Sequence, residues 1–112
     1  MNEQLQKIKE LLESRDIGDK KLGSQLLEQY RCTVKIDPDT LVKGMAYQVV
    51  RVSYPGGFSP QLNVTTQFPF DGVETVNGKV VILLFDKKRW MFDRILSITP
   101  TSEPVYTYKV HL

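Results

Sequence analysis

The residues that could do chemistry are few and stand far apart in the sequence. The only thiol is Cys32, and the only imidazole is His111, next to the last residue. Nucleophilic catalysis needs a base beside a serine or cysteine, and zinc shells built from these residue types need four ligands. One histidine and one cysteine supply neither arrangement. The sequence therefore predicts no catalytic residue, no metal and no cofactor, and His111 is interpreted as a solvated strand end.

Acidic side chains form two pairs at short spacing. Asp37 with Asp39, and Asp71 with Glu74, could serve acid and base catalysis. Each pair flanks a proline or glycine turn, where aspartate is favoured for conformational reasons. The structural interpretation is preferred, and we predict that the protein is not an enzyme.

A basic cluster beside an aromatic residue offers the chemistry of phosphate binding and base stacking. Lys87, Lys88, Arg89 and Trp90 are consecutive, and Arg51 lies on a predicted strand that could approach them. Two neighbouring aspartates dilute the cluster, and the net charge of the chain is only +2. A nucleic-acid-binding hairpin is therefore an alternative to a solvated turn.

An aromatic loop offers a different kind of contact. Tyr54 and Phe58 lie among prolines and glycines in a segment that cannot be helix or strand. Exposed aromatic side chains on loops are typical anchors at protein interfaces. The structural alternative is that Phe58 folds back over the core, as side chains of such loops often do.

Arg94 falls, by strict alternation, on the apolar face of its predicted strand. A guanidinium there needs a carboxylate or a route to solvent. A bulge at Asp93 would turn Arg94 outward. Without the bulge, Arg94 lies at an interface or pairs internally with an acid such as Asp71 or Glu74.

The elements that position these residues follow the order helices first, strands after. Residues 1–31 contain no Val, Thr or Pro, and residues 32–112 contain all of them. Branching at Cβ favours sheets, and proline favours loops and strand edges. We predict one α+β domain over residues 1–112, with a helical segment at 1–31 and an antiparallel β segment at 32–112.

Two amphipathic helices are predicted in the first segment. Asn2 is placed to cap the first helix and Gly18 to end it, and Asp19 is placed to cap the second. Gly23 inside the second helix either lowers its stability or marks a close backbone approach. The residues expected on the buried faces are Leu5, Ile8, Leu11, Leu12, Leu22, Leu26, Leu27 and Tyr30.

The strongest strand signal is a hairpin at Asn77-Gly78, because both residues tolerate the positive φ of a type I′ turn. The six residues that follow, 80–85, are apolar at every position, so both faces of that strand should be covered. We expect the helices to pack on the outside of this hairpin. The β segment would then form a strongly curved antiparallel sheet or a small SH3/Sm-like β-barrel.

Two other strands bear on this arrangement. Met45, Tyr47 and Val49 alternate, and the apolar phase then slips to Val50, Val52 and Tyr54, which indicates a bulge or a strand that is apolar on both faces. A last strand, integrated into the sheet, is predicted from alternating residues at the end of the chain. These are Tyr106, Tyr108, Val110 and Leu112.

A helical segment followed by a short-stranded barrel is similar to Sm-like and SH3-like small barrels. The positions that resemble the first hairpin of such barrels are Asp39, Thr40, Leu41, Gly44, Tyr47, Val49 and Val52. The sequence Phe92-Asp93-Arg94-Ile95 resembles the end of WYL ligand-sensing domains, and the size and element order are similar to phage head-to-tail connector proteins. No functional residue is carried over from these resemblances.

The first 15 residues are rich in charge and lack a long apolar stretch, unlike a secretory signal. The longest apolar run has six residues, whereas a membrane-spanning helix needs about 20. The sequence therefore predicts a cytoplasmic protein with no membrane contact.

The sequence favours a non-enzymatic interaction module that binds a protein partner, or forms a homo-oligomer, through its β-sheet and aromatic loop. Its size and its lack of catalytic groups suit a viral or mobile-element accessory or assembly protein. The first alternative is a nucleic-acid-binding small barrel that uses the basic hairpin. The second is a ligand sensor or small enzyme that uses the region of Arg94.

Overall fold

The computed structural model describes residues 2–57, 59–67, 69–86 and 88–101. The helices are α1 (Glu3–Glu13) and α2 (Ile17–Arg31), and the strands are β1 (Tyr47–Ser53), β2 (Gln61–Gln67), β3 (Phe70–Val76), β4 (Lys79–Phe85), β5 (Lys88–Met91) and β6 (Ile95–Pro100). Short 3-10 helices form at Pro38–Thr40, Pro55–Gly57 and Phe92–Arg94. Helices come first and strands after, so the predicted α+β class is confirmed.

The strands form two antiparallel sheets of three strands each, in the orders β2-β1-β6 and β3-β4-β5. They meet just before β1 and at the start of β3. There the Phe70 N–H donates to the Met45 carbonyl at 3.0 Å, and the Gly44 N–H donates to the Phe70 carbonyl at 2.8 Å. Within the described part of the chain the two sheets do not close into a barrel.

The helix boundaries confirm one predicted cap and correct another. Asn2 caps α1, because its side chain accepts a hydrogen bond from the Leu5 N–H at 2.8 Å. The second cap is Asp16, not Asp19: its carboxylate accepts from the Gly18 N–H at 2.7 Å. That bond starts α2 at Ile17, so Gly18 lies inside the first turn of α2 and does not end α1.

The two helices pack tightly on each other at Gly23. A Cβ atom built on this glycine would lie 3.0 Å from the Cβ of Leu11 and 3.1 Å from a methyl group of Leu12. The second of the two interpretations of Gly23, a close approach, is therefore confirmed. The apolar cluster beneath the helices is built from Leu5, Ile8, Leu12, Leu27, Val50, Val52, Leu62 and Leu96.

Strand β1 is buried on both faces. Val50 and Val52 pack against the helices, whereas Tyr47 and Val49 lie in a second cluster between the two sheets. The register against β6 also shifts between Val50 and Arg51. Both features that the two-phase apolar pattern indicated, a bulge and double burial, are present.

The hairpin of β3 and β4 turns at Asn77 and Gly78, whose φ angles of 53° and 79° match the predicted turn. The expected cover of β4 is wrong on one side. Leu83 and Phe85 are fully buried between the sheets, but Ile82 and Leu84 on the other side are only half-buried. The helices lie on the β2-β1-β6 sheet instead of on this hairpin.

The reason for this placement is the composition of the two outer faces. The β2-β1-β6 sheet offers the helices an uninterrupted apolar surface of Val50, Val52, Leu62 and Leu96. Burial of such surface is the main favourable free energy of helix-on-sheet packing. The outer face of the other sheet carries charged residues, which a helix pair would have to desolvate.

Other predicted elements differ or lie outside the described residues. Val34 and Ile36 alternate in the sequence like a strand, but they belong to the connection between α2 and β1, and this connection packs on both clusters. The predicted last strand at 106–112, which includes His111, lies outside the described residues, as does Phe68. No helix in the described ranges is both long enough and apolar enough to cross a membrane.

We predict that Gly23→Ala destabilises the protein although alanine is the better helix former. The helix-propensity gain is about 1 kcal/mol, and overpacking against an immobile Cβ costs about 1–3 kcal/mol. The expected result is a net loss of about 1 kcal/mol of unfolding free energy in urea titration. Gln25→Ala, at an exposed position of α2, is the control and should change stability by less than about 0.5 kcal/mol. A stabilised Gly23→Ala variant would contradict the close approach.

Candidate functional site

The most distinctive surface is the side of the β3-β4-β5 sheet that faces away from the core. Opposed residues of an antiparallel sheet point to the same side, and two rows across the strands do so here. One row is Gly72, Leu84 and Arg89, and the other is Glu74, Ile82 and Met91. A third, shorter row of Val76 and Lys79 points to the same side, and these eight residues are called the outer face below.

The outer face combines apolar side chains with one ion pair and the separate cation of Lys79. Met91 is 54 % exposed and Val76 is 57 % exposed, and Ile82 and Leu84 are half-buried. A solvent-facing run of this kind on a sheet is typical of a contact surface.

An ion pair crosses the middle of the outer face. Arg89 Nε donates to Glu74 Oε2 at 2.7 Å, and Arg89 Nη2 donates to Glu74 Oε1 at 3.0 Å. Glu74 lies on β3 and Arg89 on β5, so the pair reaches over β4. The hydrogen bonds to Glu74, and then its charge, raise the pKa of the Arg89 guanidinium above its ordinary value.

The structure brings together two residues of the predicted nucleic-acid set. The guanidinium of Arg51 lies 3.3 Å from the centroid of the Trp90 ring. Both side chains are on the inner side of their sheets, and burial lowers the pKa of Arg51. Neither Arg51 Nε nor Trp90 Nε1 has a hydrogen-bond partner in the described structure. One face of the Trp90 ring is thus occupied by an internal cation.

The remaining members of that set are separated. Lys88 and Arg89 lie on β5, not in the predicted turn, and the charge of Arg89 is paired with Glu74. Asp86 forms the turn itself with a φ of 52°. Lys87 lies outside the described residues.

Two of the three predicted protein-binding residues contact each other. The guanidinium of Arg94 lies 4.8 Å from the centroid of the Tyr54 ring. The 3-10 turn Phe92–Arg94 breaks the strand alternation, which turns Arg94 away from the apolar stripe without the predicted bulge. The third residue, Phe58, lies outside the described residues.

Arg31 is a member of this cluster that the sequence did not indicate. Its Nη1 donates to the Tyr54 hydroxyl at 2.9 Å, and its Nη2 donates to the Asp93 carbonyl at 3.4 Å. Arg31 is 23 residues from Tyr54 in the chain, and it lies on the predicted polar face of α2. No local pattern could have paired them.

A cavity of about 520 Å³ lies between the end of α2 and the start of β6. Its lining includes the apolar residues Val34, Ile36 and Phe92 and the basic residues Arg31 and Lys35. Among the described residues, no group of three or more His, Cys, Asp or Glu side chains could hold a metal ion.

Comparison with known protein families, with curated proteins and with solved structures finds no match to this chain. The assignment of a site therefore depends on geometry alone. The outer face is the described surface with the clearest composition for contact with a partner.

We predict that Tyr54→Phe lowers the unfolding free energy by about 1 kcal/mol, because it removes the acceptor of the Arg31 hydrogen bond in a partly buried cluster. The ring that stacks with Arg94 is kept. The control is Tyr30→Phe, whose hydroxyl accepts from the exposed Asn2 amide, and its expected cost is less than about 0.5 kcal/mol. Equal effects of the two substitutions in denaturant titration would contradict a structural role of the Tyr54 cluster.

Proposed function

We propose that this chain is a non-enzymatic protein-interaction module that contacts its partner through the outer face. The observation that carries the proposal is the exposure of Val76 and Met91 on the same side of the sheet as Ile82 and Leu84. The helices that could have covered these residues are packed on the other sheet. Burial of each exposed side chain of this kind contributes about 1–2 kcal/mol to association.

Strand pairing and buried anchor residues support a rigid contact surface. The outer face is built on three hydrogen-bonded strands, and its central strand is anchored by Leu83 and Phe85, which are fully buried. Interfaces on preformed elements lose little conformational entropy on binding. The size of the module suits a viral or mobile-element accessory or assembly protein.

The aromatic loop is a less direct candidate than the outer face. Tyr54 is held by Arg31 and Arg94 within the chain, so its ring is already engaged. A role of Tyr54, Phe58 and Arg94 in binding a partner stays a prediction.

The proposal predicts that a photoreactive side chain on the outer face forms a cross-link to a protein. With benzoylphenylalanine in place of Met91, irradiation of the cells that naturally produce the chain should give a covalent adduct with increased mass on a denaturing gel. The adduct forms because the probe lies against the partner when the face is covered.

The matched control replaces Ile17, which is 82 % exposed at the start of α2, with the same photoreactive residue. Ile17 is apolar and accessible but does not belong to the outer face. Adducts from position 91 and not from position 17 are expected. Absence of an adduct at position 91, or equal adducts at both positions, contradicts the proposal.

A second measurement separates protein contact from nucleic-acid binding. We expect no binding of a short duplex DNA or single-stranded RNA in fluorescence anisotropy at about 0.1 M salt, because the charge of Arg89 is paired and Trp90 is stacked on Arg51. Binding that falls linearly with the logarithm of salt concentration, and that Lys88→Ala weakens, would contradict this expectation and favour the basic-hairpin alternative.

A further inference from the structure

We propose that the cavity between the end of α2 and the start of β6 binds a small zwitterion with an apolar body, of which a free α-amino acid with a large apolar side chain is the simplest. This inference goes beyond the proposed function, because none of the residues that line the cavity belongs to the outer face. The size of the cavity, its apolar lining and its charges all favour such a ligand.

The cavity has the dimensions of a small-molecule site. Its volume of about 520 Å³ lies within the range of about 300–1,000 Å³ that is usual for ligand pockets. Such pockets are mostly apolar and carry a few polar groups that fix the orientation of the ligand. The lining of this cavity is of the same kind, since it combines five apolar residues with four charged ones and Cys32.

The apolar lining borders both apolar clusters of the protein. Leu96 is buried in the cluster beneath the helices, and Val34 packs against that cluster. Ile95 is buried in the cluster between the sheets, and Ile36 and Phe92 pack against it. An apolar side chain placed in the cavity would therefore extend both clusters and lose its contact with water.

The charged lining comprises two basic and two acidic residues, which are Arg31, Lys35, Glu28 and Asp93. Two of these charges are already paired with each other, because Arg31 Nη1 lies 3.5 Å from Glu28 Oε1. Arg31 also donates to the Tyr54 hydroxyl and to the Asp93 carbonyl. The other two charges, the ammonium of Lys35 and the carboxylate of Asp93, form no ion pair with any residue in the described ranges of the chain.

The two unpaired charges belong to the two elements that border the cavity. Lys35 lies in the connection after α2, and Asp93 lies in the 3-10 turn before β6. They have opposite signs and line one cavity, but they do not pair with each other. A zwitterion can complete both pairs at once, with its carboxylate at Lys35 and its ammonium at Asp93. A ligand of a single sign would pair with one of these groups and bring a like charge to the other.

The exposure of the two charges sets the expected strength. Lys35 and Asp93 are exposed, and ion pairs at exposed positions contribute little free energy. Most of the affinity then comes from the burial of the apolar side chain of the ligand. We expect a dissociation constant of about 1 mM for L-phenylalanine.

The test uses Cys32 to measure occupancy of the cavity. Cys32 is the only cysteine of the chain, it lines the cavity, and it is exposed. A ligand in the cavity should therefore slow the alkylation of Cys32 by the uncharged reagent iodoacetamide. We expect the rate to fall at least about fivefold at about 10 mM L-phenylalanine, with a half-maximal effect at about 1 mM. An unchanged rate over this range overturns the proposal.

Two matched compounds test the need for both charges of the ligand. 3-Phenylpropanoate keeps the ring and the carboxylate, and 2-phenylethylamine keeps the ring and the ammonium. Each should need an about fivefold higher concentration than phenylalanine to protect Cys32, because it completes only one of the two pairs. Equal protection by 3-phenylpropanoate would make the cavity an anion site, and equal protection by 2-phenylethylamine would make it a cation site. Either result overturns the zwitterion.

Two substitutions assign each charge of the ligand to its partner. Lys35→Gln should weaken protection by phenylalanine about fivefold and should not weaken protection by 2-phenylethylamine, which has no carboxylate. Asp93→Asn should weaken protection by phenylalanine about fivefold and should not weaken protection by 3-phenylpropanoate, which has no ammonium. Each rate is compared with that of the same variant without ligand. Protection by phenylalanine at the wild-type concentration in either variant overturns the proposal.

The controls are Lys21→Gln on α2 and Asp71→Asn on β3, which remove exposed charges that do not line the cavity. Phenylalanine should protect both variants as it protects the wild type, and thermal unfolding verifies the fold of each variant. The cross-link from position 91 does not depend on this ligand. Failure of the inference and failure of the proposed function are therefore distinguishable.

Discussion

The arrangement of this molecule depends on the burial of both faces of β1. Val50 and Val52 point to one side, and Tyr47 and Val49 to the other. A strand that is apolar on both faces needs a cover on each side. The helix pair covers one side of β1 and the β3-β4-β5 sheet covers the other, and the described residues offer no further layer. The side of β4 that faces away from β1 therefore reaches solvent, which is the origin of the outer face.

Local signals in the sequence were sufficient for several of the elements and insufficient for the contacts between them. The Asn77-Gly78 turn, the Asn2 cap and the double burial of β1 follow from conformational preference and periodicity within a few residues. The helices pack on the sheet whose outward surface has no charged residues among those described. This choice depends on the surfaces of both sheets, and each surface is assembled from strands that are distant in the sequence. The run at 80–85 indicates burial of a strand but does not encode which layer covers it, so the expected helix packing on β4 was wrong.

The contacts of the candidate residues could not be predicted from local patterns either. Their types were recognisable, but their contacts depend on tertiary distance. Arg51 was expected on a strand that could approach Trp90, and the structure stacks the two side chains. Arg94 was expected to need a carboxylate or solvent, and it lies over the ring of Tyr54 instead. A planar guanidinium can stack on an aromatic ring. Arg89, assigned to a phosphate-binding cluster, has an acid as its partner, and no short-range pattern distinguishes these outcomes.

The outer face is neither wholly apolar nor wholly polar, and either extreme would make a poorer contact surface. If Glu74 and Arg89 were apolar, the exposed patch would be larger and would favour association without a defined orientation. If Ile82 and Leu84 were polar, the burial of apolar surface would no longer drive association. With both kinds of residue present, the apolar side chains supply the driving force, and the charges penalise every alignment that brings like groups together. A face built in this way selects its partner by orientation more than by strength, which is the property that a reversible assembly contact requires.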